Sequence, residues 1–191
     1  RVNANQLLLD LLRPGKIDFP ATIKTAFICA GISDRKKCAE NPRQTHRINV
    51  EGVTHFISEC FKSKIKVVYT SSTAIFDEQY QFRKNSDDPA PCSEYGRQKL
   101  EVEKHLLSCP RLGTIVRMTK IWNRESFLIK KWVRKISDSE TIEAFNDAWI
   151  APVTLDFAAG LLLRIGLGPS TGIFHISGAE QRTYYELCQL F

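Results

Sequence analysis

An open α/β architecture, with a parallel sheet covered by helices on both faces, is what this sequence predicts, and three observations predict it. Apolar runs of four to six residues recur along the 191-residue chain, separated by longer amphipathic stretches. The runs are apolar throughout instead of alternating with polar residues, the pattern of strands buried on both faces. The segments between them carry apolar residues at helical spacing, the stripe of a helix lying on a sheet.

In chain order, Thr25-Ala26-Phe27-Ile28-Cys29-Ala30 reads as a buried strand ended by Gly31. From Asn49 to Lys62, Val50, Val53, Ile57, Cys60 and Phe61 share one helical face. Lys66-Val67-Val68-Tyr69-Thr70-Ser71 is the second strand. A polar loop containing Asp87, Asp88, Pro89 and Pro91 leads into a helix from about Tyr95 to Leu107. Asp87 and Asp88 are loop and helix-entry residues in this reading, not paired catalytic carboxylates. Thr114-Ile115-Val116-Arg117 is a third strand, Leu155 to Ile165 a helix, and Gly172-Ile173-Phe174-His175-Ile176 a fourth strand with His175 as a core histidine. A last helix starts near Thr183 and is still running at Phe191. Residues 1–120 are expected to form the main sheet, and residues 121–191 a smaller mixed lobe with a returning strand and helix.

Composition excludes some functions and leaves others open. Hydrophobic residues make up 43% and charged residues 25%, as in ordinary globular chains. No apolar run approaches the ~20 residues that cross a bilayer, and the first residues lack signal-peptide anatomy, so a cytoplasmic protein without membrane contact is expected. Cys29, Cys38, Cys60, Cys92, Cys109 and Cys188 show no C-x-x-C or Cys/His spacing and read as reduced thiols, with no metal site. His46, His55 and His105 likewise lack partners at metal spacing. The net charge of +6 suits a phosphate-bearing ligand or nucleic acid. Lys130, Lys131, Arg134 and Lys135 alternate with Ile129, Trp132, Val133 and Ile136, which is a helix with a solvated basic face. Contact with a substrate diphosphate is the functional alternative. Nucleic acid fits less well, because the aromatic side chains fall on the apolar side.

Chemistry enters with a serine at a strand end followed by Tyr-x-x-x-Lys on a helix. Tyr95 and Lys99 are four apart, so they share a helix face. A phenol has a pKa near 10, and a neighbouring ammonium is expected to draw it down, letting Tyr95 exchange a proton with a carbonyl or alcohol. Ser72 leaves its strand at the carboxyl end, where open α/β sheets bind ligands, and can hold the reacting oxygen. A second pair, Tyr80 and Lys84, has the same spacing but lies in a polar loop close after Ser72. Its context, not the spacing alone, gives the Tyr95 pair its weight.

These residues carry a resemblance. Val67-Val68-Tyr69-Thr70-Ser71-Ser72-Thr73-Ala74-Ile75-Phe76 resembles the catalytic-serine strand of extended short-chain dehydrogenases. Pro91-Cys92-Ser93-Glu94-Tyr95-Gly96-Arg97-Gln98-Lys99-Leu100-Glu101-Val102-Glu103 resembles their P-x-S-x-Y-G-x-x-K-L-x-x-E signature. Cys29-Ala30-Gly31 with Asn49-Val50-Glu51-Gly52 is similar to their fourth strand and following helix. Asn146-Asp147, Pro152, Asp156-Phe157-Ala158 and Gly172 to Gly178 look like the dTDP-4-dehydrorhamnose reductase branch. The resemblance implies a Rossmann-like, doubly wound sheet, NADP or NAD as cofactor, and reduction, epimerisation or dehydration at a keto group of a nucleotide sugar. It implies that Ser72 holds the substrate oxygen, that Tyr95 donates the proton, and that Lys99 binds the nicotinamide ribose and tunes Tyr95. Ala30 and Gly31 would pass the cofactor as backbone, and Arg117 would lie on the substrate side. A homodimer is compatible with it.

Departures bear on the substrate. The reductase branch tends to read Arg-Thr-Ser-Trp-Val-Tyr-Gly where this chain has Arg117-Met118-Thr119-Lys120-Ile121-Trp122-Asn123. Its Asp-Gln-x-Gly-x-Pro-Thr stretch appears as Asp147-Ala148-Trp149-Ile150-Ala151-Pro152-Val153. The fold ordinarily opens with a strand and a glycine-rich turn, yet no G-x-G-x-x-G or G-x-x-G-x-x-G occurs. Gly166 to Gly172 is a turn after a helix. The chain is therefore expected to be an incomplete domain. A non-catalytic regulatory protein on the same scaffold, like the regulatory subunit of methionine adenosyltransferase, is the competing expectation.

Overall fold

A computed structural model describes residues 8–77, 82–123 and 125–191. Four strands form one parallel sheet in the order β1 (Thr25–Ile28), β2 (Lys66–Ser72), β3 (Gly113–Met118), β7 (Gly172–Ile176). The apolar runs are buried because each strand has helices above and below. On one face α3 (Val53–Lys62) and α4 (Glu94–Leu107) cover Val67, Tyr69 and Ile115 with Val53, Ile57, Val102 and Leu106. On the other face α6 (Leu155–Leu167) covers Val68 and Val116 with Ala158, Leu161 and Leu162. Neighbouring residues of β2 thus feed opposite cores, as the pleat requires. The expected parallel α/β sheet is what the chain forms.

Two differences from the sequence reading concern helices. The segment expected as one helix from Asn49 is interrupted. It begins as α2 (Pro42–His46), widens into a π-helical turn over Arg47–Gly52, and continues as α3. At the other end α7 (Tyr184–Cys188) closes at Cys188 and does not run to Phe191. Its start is specified locally, because the Thr183 side chain and Glu186 form a capping box.

A third cluster lies outside the sheet. It gathers Ile129 and Trp132 of α5 (Phe127–Ser137) with Leu187 of α7, beside Trp122 and Tyr184. Two small pairings frame it: β4 (Ile121–Trp122) with β6 (Val153–Thr154), and β5 (Trp149–Ile150) with β8 (Arg182–Thr183). The remaining helix, α1 (Arg35–Glu40), follows β1 and is capped by Asp34, whose carboxylate accepts from Lys37 N at 3.0 Å. No helix among the described residues is long and apolar enough to cross a membrane.

Candidate active site

Ser72 ends β2 and turns the chain into a short 3-10 turn, Thr73–Ile75, by accepting a hydrogen bond from Ala74 N at 3.2 Å. The next helix comes very close to that turn. A Cβ at Gly96 would collide with the Ala74 carbonyl oxygen, so glycine is what permits the approach. Ser93 fixes the helix start by accepting from Gly96 N at 3.1 Å. Tyr95, in the first turn of α4, thereby meets Ser72, whose hydroxyl bonds its phenol. One turn on, Lys99 donates to the Thr70 carbonyl at 2.9 Å and stands 4.6 Å above the Tyr69 ring. Ser72, Tyr95 and Lys99 are therefore gathered at the carboxyl end of β2.

The neighbouring strand supplies bare backbone. Cys29, Ala30 and Gly31 are exposed just past the end of β1. Gly31 has φ of +144°, a conformation few side chains adopt, and a Cβ there would stand 3.1 Å from Asn49 Oδ1. Cys29 lies within electrostatic reach of the Lys99 ammonium.

The electrostatics differ from the sequence expectation in one respect. Tyr95 is pushed above its ordinary phenol value, mainly by burial, while the Ser72 hydrogen bond pulls it partly back. Lys99 does not lower it as expected. Its ammonium is turned to Thr70 and sits 5.7 Å from the Tyr95 ring centroid, over the ring. The cation that does pull Tyr95 down is Arg35. Lys99 itself is pushed down to about 8, chiefly by burial.

Beneath these residues lies a polar network that sequence reasoning missed. Asn49, in the π-helical turn, accepts from Ile32 N at 2.7 Å and donates to Ile32 O at 2.9 Å and to Gln98 Oε1 at 2.8 Å. Gln98 in turn donates to Thr45 Oγ1 and Glu94 Oε1, each at 3.0 Å. Gln98 and Glu103 are each 1% exposed on α4. The available signal was a polar residue falling on the apolar stripe of that helix, where burial demands a partner.

The other expected residues lie apart. Arg117 is 3% exposed, and its guanidinium is held by Glu103 with Nη2 to Oε2 at 2.7 Å, so it is not presented to solvent. On α5, Lys130 pairs with Glu125, Arg134 with Asp138 and Lys135 with Glu140. His175 is half-buried, with its Nε2 3.4 Å from Arg117 Nη1. Lys84 donates its backbone N–H to Asp87 at 2.9 Å in an exposed turn, while Tyr80 lies outside the described residues.

The geometry can be set beside known proteins. A dTDP-4-keto-6-deoxy-D-glucose reductase of Streptomyces niveus is 30% identical over 147 residues, covering 75% of this chain and 51% of the reductase. A methionine adenosyltransferase 2 subunit beta of Pongo abelii is 27% identical over 164 residues, covering 80% of this chain and 49% of that subunit. The crystal structure of a dTDP-4-dehydrorhamnose reductase from Bacillus anthracis in complex with NADP superimposes with a TM-score of 0.80 at 18% identity, over 87% of this chain and 60% of that one. The chain spans about half the length of the curated relatives it matches. Residues 21–191 match the model of the RmlD substrate binding domain, and the chain belongs to that family.

Proposed function

We propose that this chain carries the proton-transfer and substrate-holding part of a nicotinamide-dependent oxidoreductase that acts on a keto group of a nucleotide sugar. The observation that carries this reading is the gathering of Ser72, Tyr95 and Lys99 at the carboxyl end of β2. The reductase relatives support the substrate class.

The residues present fit the nicotinamide half of a dinucleotide. Bare backbone at Ala30 and Gly31 lies beside Lys99, a partly buried lysine pushed down to about 8, with no side chain standing between the end of β1 and solvent at Gly31. A nicotinamide bound there would supply the hydride chemistry. Lys99 would hold its ribose with the ammonium that here bonds Thr70. Ser72 donates a hydrogen bond to the reacting oxygen. Tyr95 gives that oxygen the proton from its Oη, and burial suits it to this direction because it keeps the phenol protonated at neutral pH. NADP and NAD remain alternatives, since the group that separates them sits at the far ribose. Residues 1–120 supply this centre, and residues 121–191 shape the sugar pocket.

Turnover tests the reading. NADPH oxidation is followed with a nucleoside-diphosphate 4-keto-sugar as acceptor, at dinucleotide concentrations into the millimolar range. Tyr95→Phe should lower kcat by roughly 10²–10⁴-fold with the fold retained. Unchanged turnover by that variant sinks the assignment. The methionine adenosyltransferase subunit beta relatives favour a second reading, a regulatory subunit without chemistry. In that case wild type and Tyr95→Phe are equally silent with every acceptor.

A further inference from the structure

Between Ser72 and Tyr95 the chain makes an excursion of more than twenty residues, and the groups that fasten it have no part in the proposed chemistry. Three adjacent strands present one row. Ser71 of β2 is in register with Arg117 of β3, which is in register with His175 of β7. All three face α4, the side on which Ile115 and Tyr69 are packed. From α4, Glu103 reaches Arg117 with Oε2 2.7 Å from Nη2 and Oε1 3.1 Å from Nε. Glu103 stands one turn past Lys99 and two past Tyr95, so the ion pair and the reactive residues share a helix face.

The opposite end of the guanidinium grips the excursion. Arg117 Nη1 donates to the Asn85 carbonyl at 3.2 Å, and the guanidinium lies 5.3 Å from the centroid of the Phe76 ring. The His175 ring meets Phe76 edge-on at 5.8 Å and donates to the backbone of Arg83. Asn85 Nδ2 donates to Ile173 O at 3.4 Å. Arg83 and Asp77 pair at 2.6 Å across the excursion itself. Both descending and returning limbs are thus tied to the carboxyl ends of β3 and β7.

We propose that Arg117 and His175 are positioning residues that hold this excursion so that the Ser72 hydroxyl stays on the Tyr95 phenol, and that Arg117 acts through Glu103 and Asn85 without touching substrate. Only the functional meaning rests on the reading of Ser72 and Tyr95 given above. The physical reason for arginine is its fork. One planar group bonds a carboxylate with two nitrogens and still points a third donor elsewhere, which a lysine ammonium cannot do in the same directions. The Glu103 carboxylate is thereby neutralised inside the fold while the loop carbonyl is fixed by the same atoms.

The test uses the 191-residue chain and two variants. Arg117→Lys keeps a cation for Glu103 but gives up the reach to Asn85. His175→Phe keeps the ring against Phe76 but loses the bond to Arg83. In both, amide hydrogen exchange over residues 82–88 should speed up by at least about tenfold, with β2 and β3 amides unchanged as the internal control for folding. The Tyr95 phenol should titrate at higher pH than in wild type, because losing the Ser72 bond removes the larger of the two influences that pull it down. Ser72→Ala should raise the Tyr95 titration in the same way while leaving loop exchange at its wild-type rate. In turnover assays both positioning variants should lose kcat by about tenfold or more with KM within about twofold. Exchange and titration need no substrate, so they decide the positioning role even if the turnover reading fails. Should Arg117→Lys open the β2 and β3 amides as well, His175→Phe decides. Wild-type exchange over 82–88 in His175→Phe and in a folded Arg117→Lys overturns the proposal. A raised KM with wild-type exchange would return Arg117 to substrate contact.

Discussion

Lys99 is held in a place that disfavours its charge. Its shift down to about 8 is the net effect of burial, which lowers it, against the opposing pull of Cys29, Glu103 and Cys38, and burial wins. The folded-state value lies below the ordinary one, so the unfavourable contribution is complete below about pH 8 and fades as pH rises toward the unfolded value near 10.4. Lys99→Met keeps the unbranched side chain out to Cε and removes the ammonium. It should therefore stabilise the folded chain at about pH 7 by roughly 1–3 kcal/mol, raising Tm by about 2–4 °C per kcal/mol for a chain of this size. The gain should shrink in melts taken at increasing pH toward about 10. A Tm at or below wild type at about pH 7 would mean that the Thr70 bond and the Tyr69 ring outweigh desolvation. Residues of this kind were legible because their types and spacing announce them. The direction of the Tyr95 shift was not, since spacing places Lys99 near Tyr95 but does not say that its ammonium turns to Thr70.

Among the elements, α6 shows a cost that the sequence concealed. A helix ends with carbonyls that lack intrahelical partners and carry partial negative charge. At the end of α6 the side chain of Lys66, the first residue of β2, donates to Ile165 O at 2.8 Å, Gly168 O at 2.8 Å and Ser170 O at 2.7 Å. Thr25 Oγ1 adds a bond to Gly166 O at 3.1 Å. The ammonium ties the start of β2, and the hydroxyl the start of β1, to the end of α6 and the connection leading into β7. Lys66→Met should lose about 1–3 kcal/mol, because three carbonyls are left to find water in a partly buried place. Urea unfolding should show a lower midpoint with an unchanged slope. A midpoint equal to wild type would show that solvent replaces the ammonium without loss. Sequence reading gave Lys66 only as a strand residue, since its partners lie about a hundred positions away. The π-helical turn was hidden for a related reason. Val50, Val53 and Ile57 keep a helical period through it, while the widened turn serves to carry Asn49 inward to Ile32 and Gln98.

For the molecule as a whole, the parallel sheet was legible because strands buried on both faces must be apolar throughout, and Val67 to Tyr69 and Thr114 to Val116 are accordingly enclosed. The small pairings of β4 with β6 and β5 with β8 were not, because two-residue strands leave no period to read. The same layout determines how well these 191 residues should hold a dinucleotide. Pyrophosphate is bound where helix N-terminal amides and the positive end of a helix dipole converge. The glycine-rich stretch Gly166 to Gly172, expected as a turn after the helix, offers the reverse: it begins in the last turn of α6, and its Gly168 and Ser170 carbonyls are taken by Lys66. The amide of Gly96 at the start of α4 is already used by Ser93. Under the proposed function, what the described residues offer such a ligand is a hold on the nicotinamide half, at Lys99 and the backbone of Ala30 and Gly31. A contact set so limited should give affinity no tighter than about millimolar, worth on the order of 4 kcal/mol. Titrating NADPH or NADH with the chain and following nucleotide fluorescence should show no saturation below that range, and Lys99→Met should abolish what binding there is. Micromolar affinity would reveal phosphate-binding amides within these residues and overturn the assignment of the ligand's two halves.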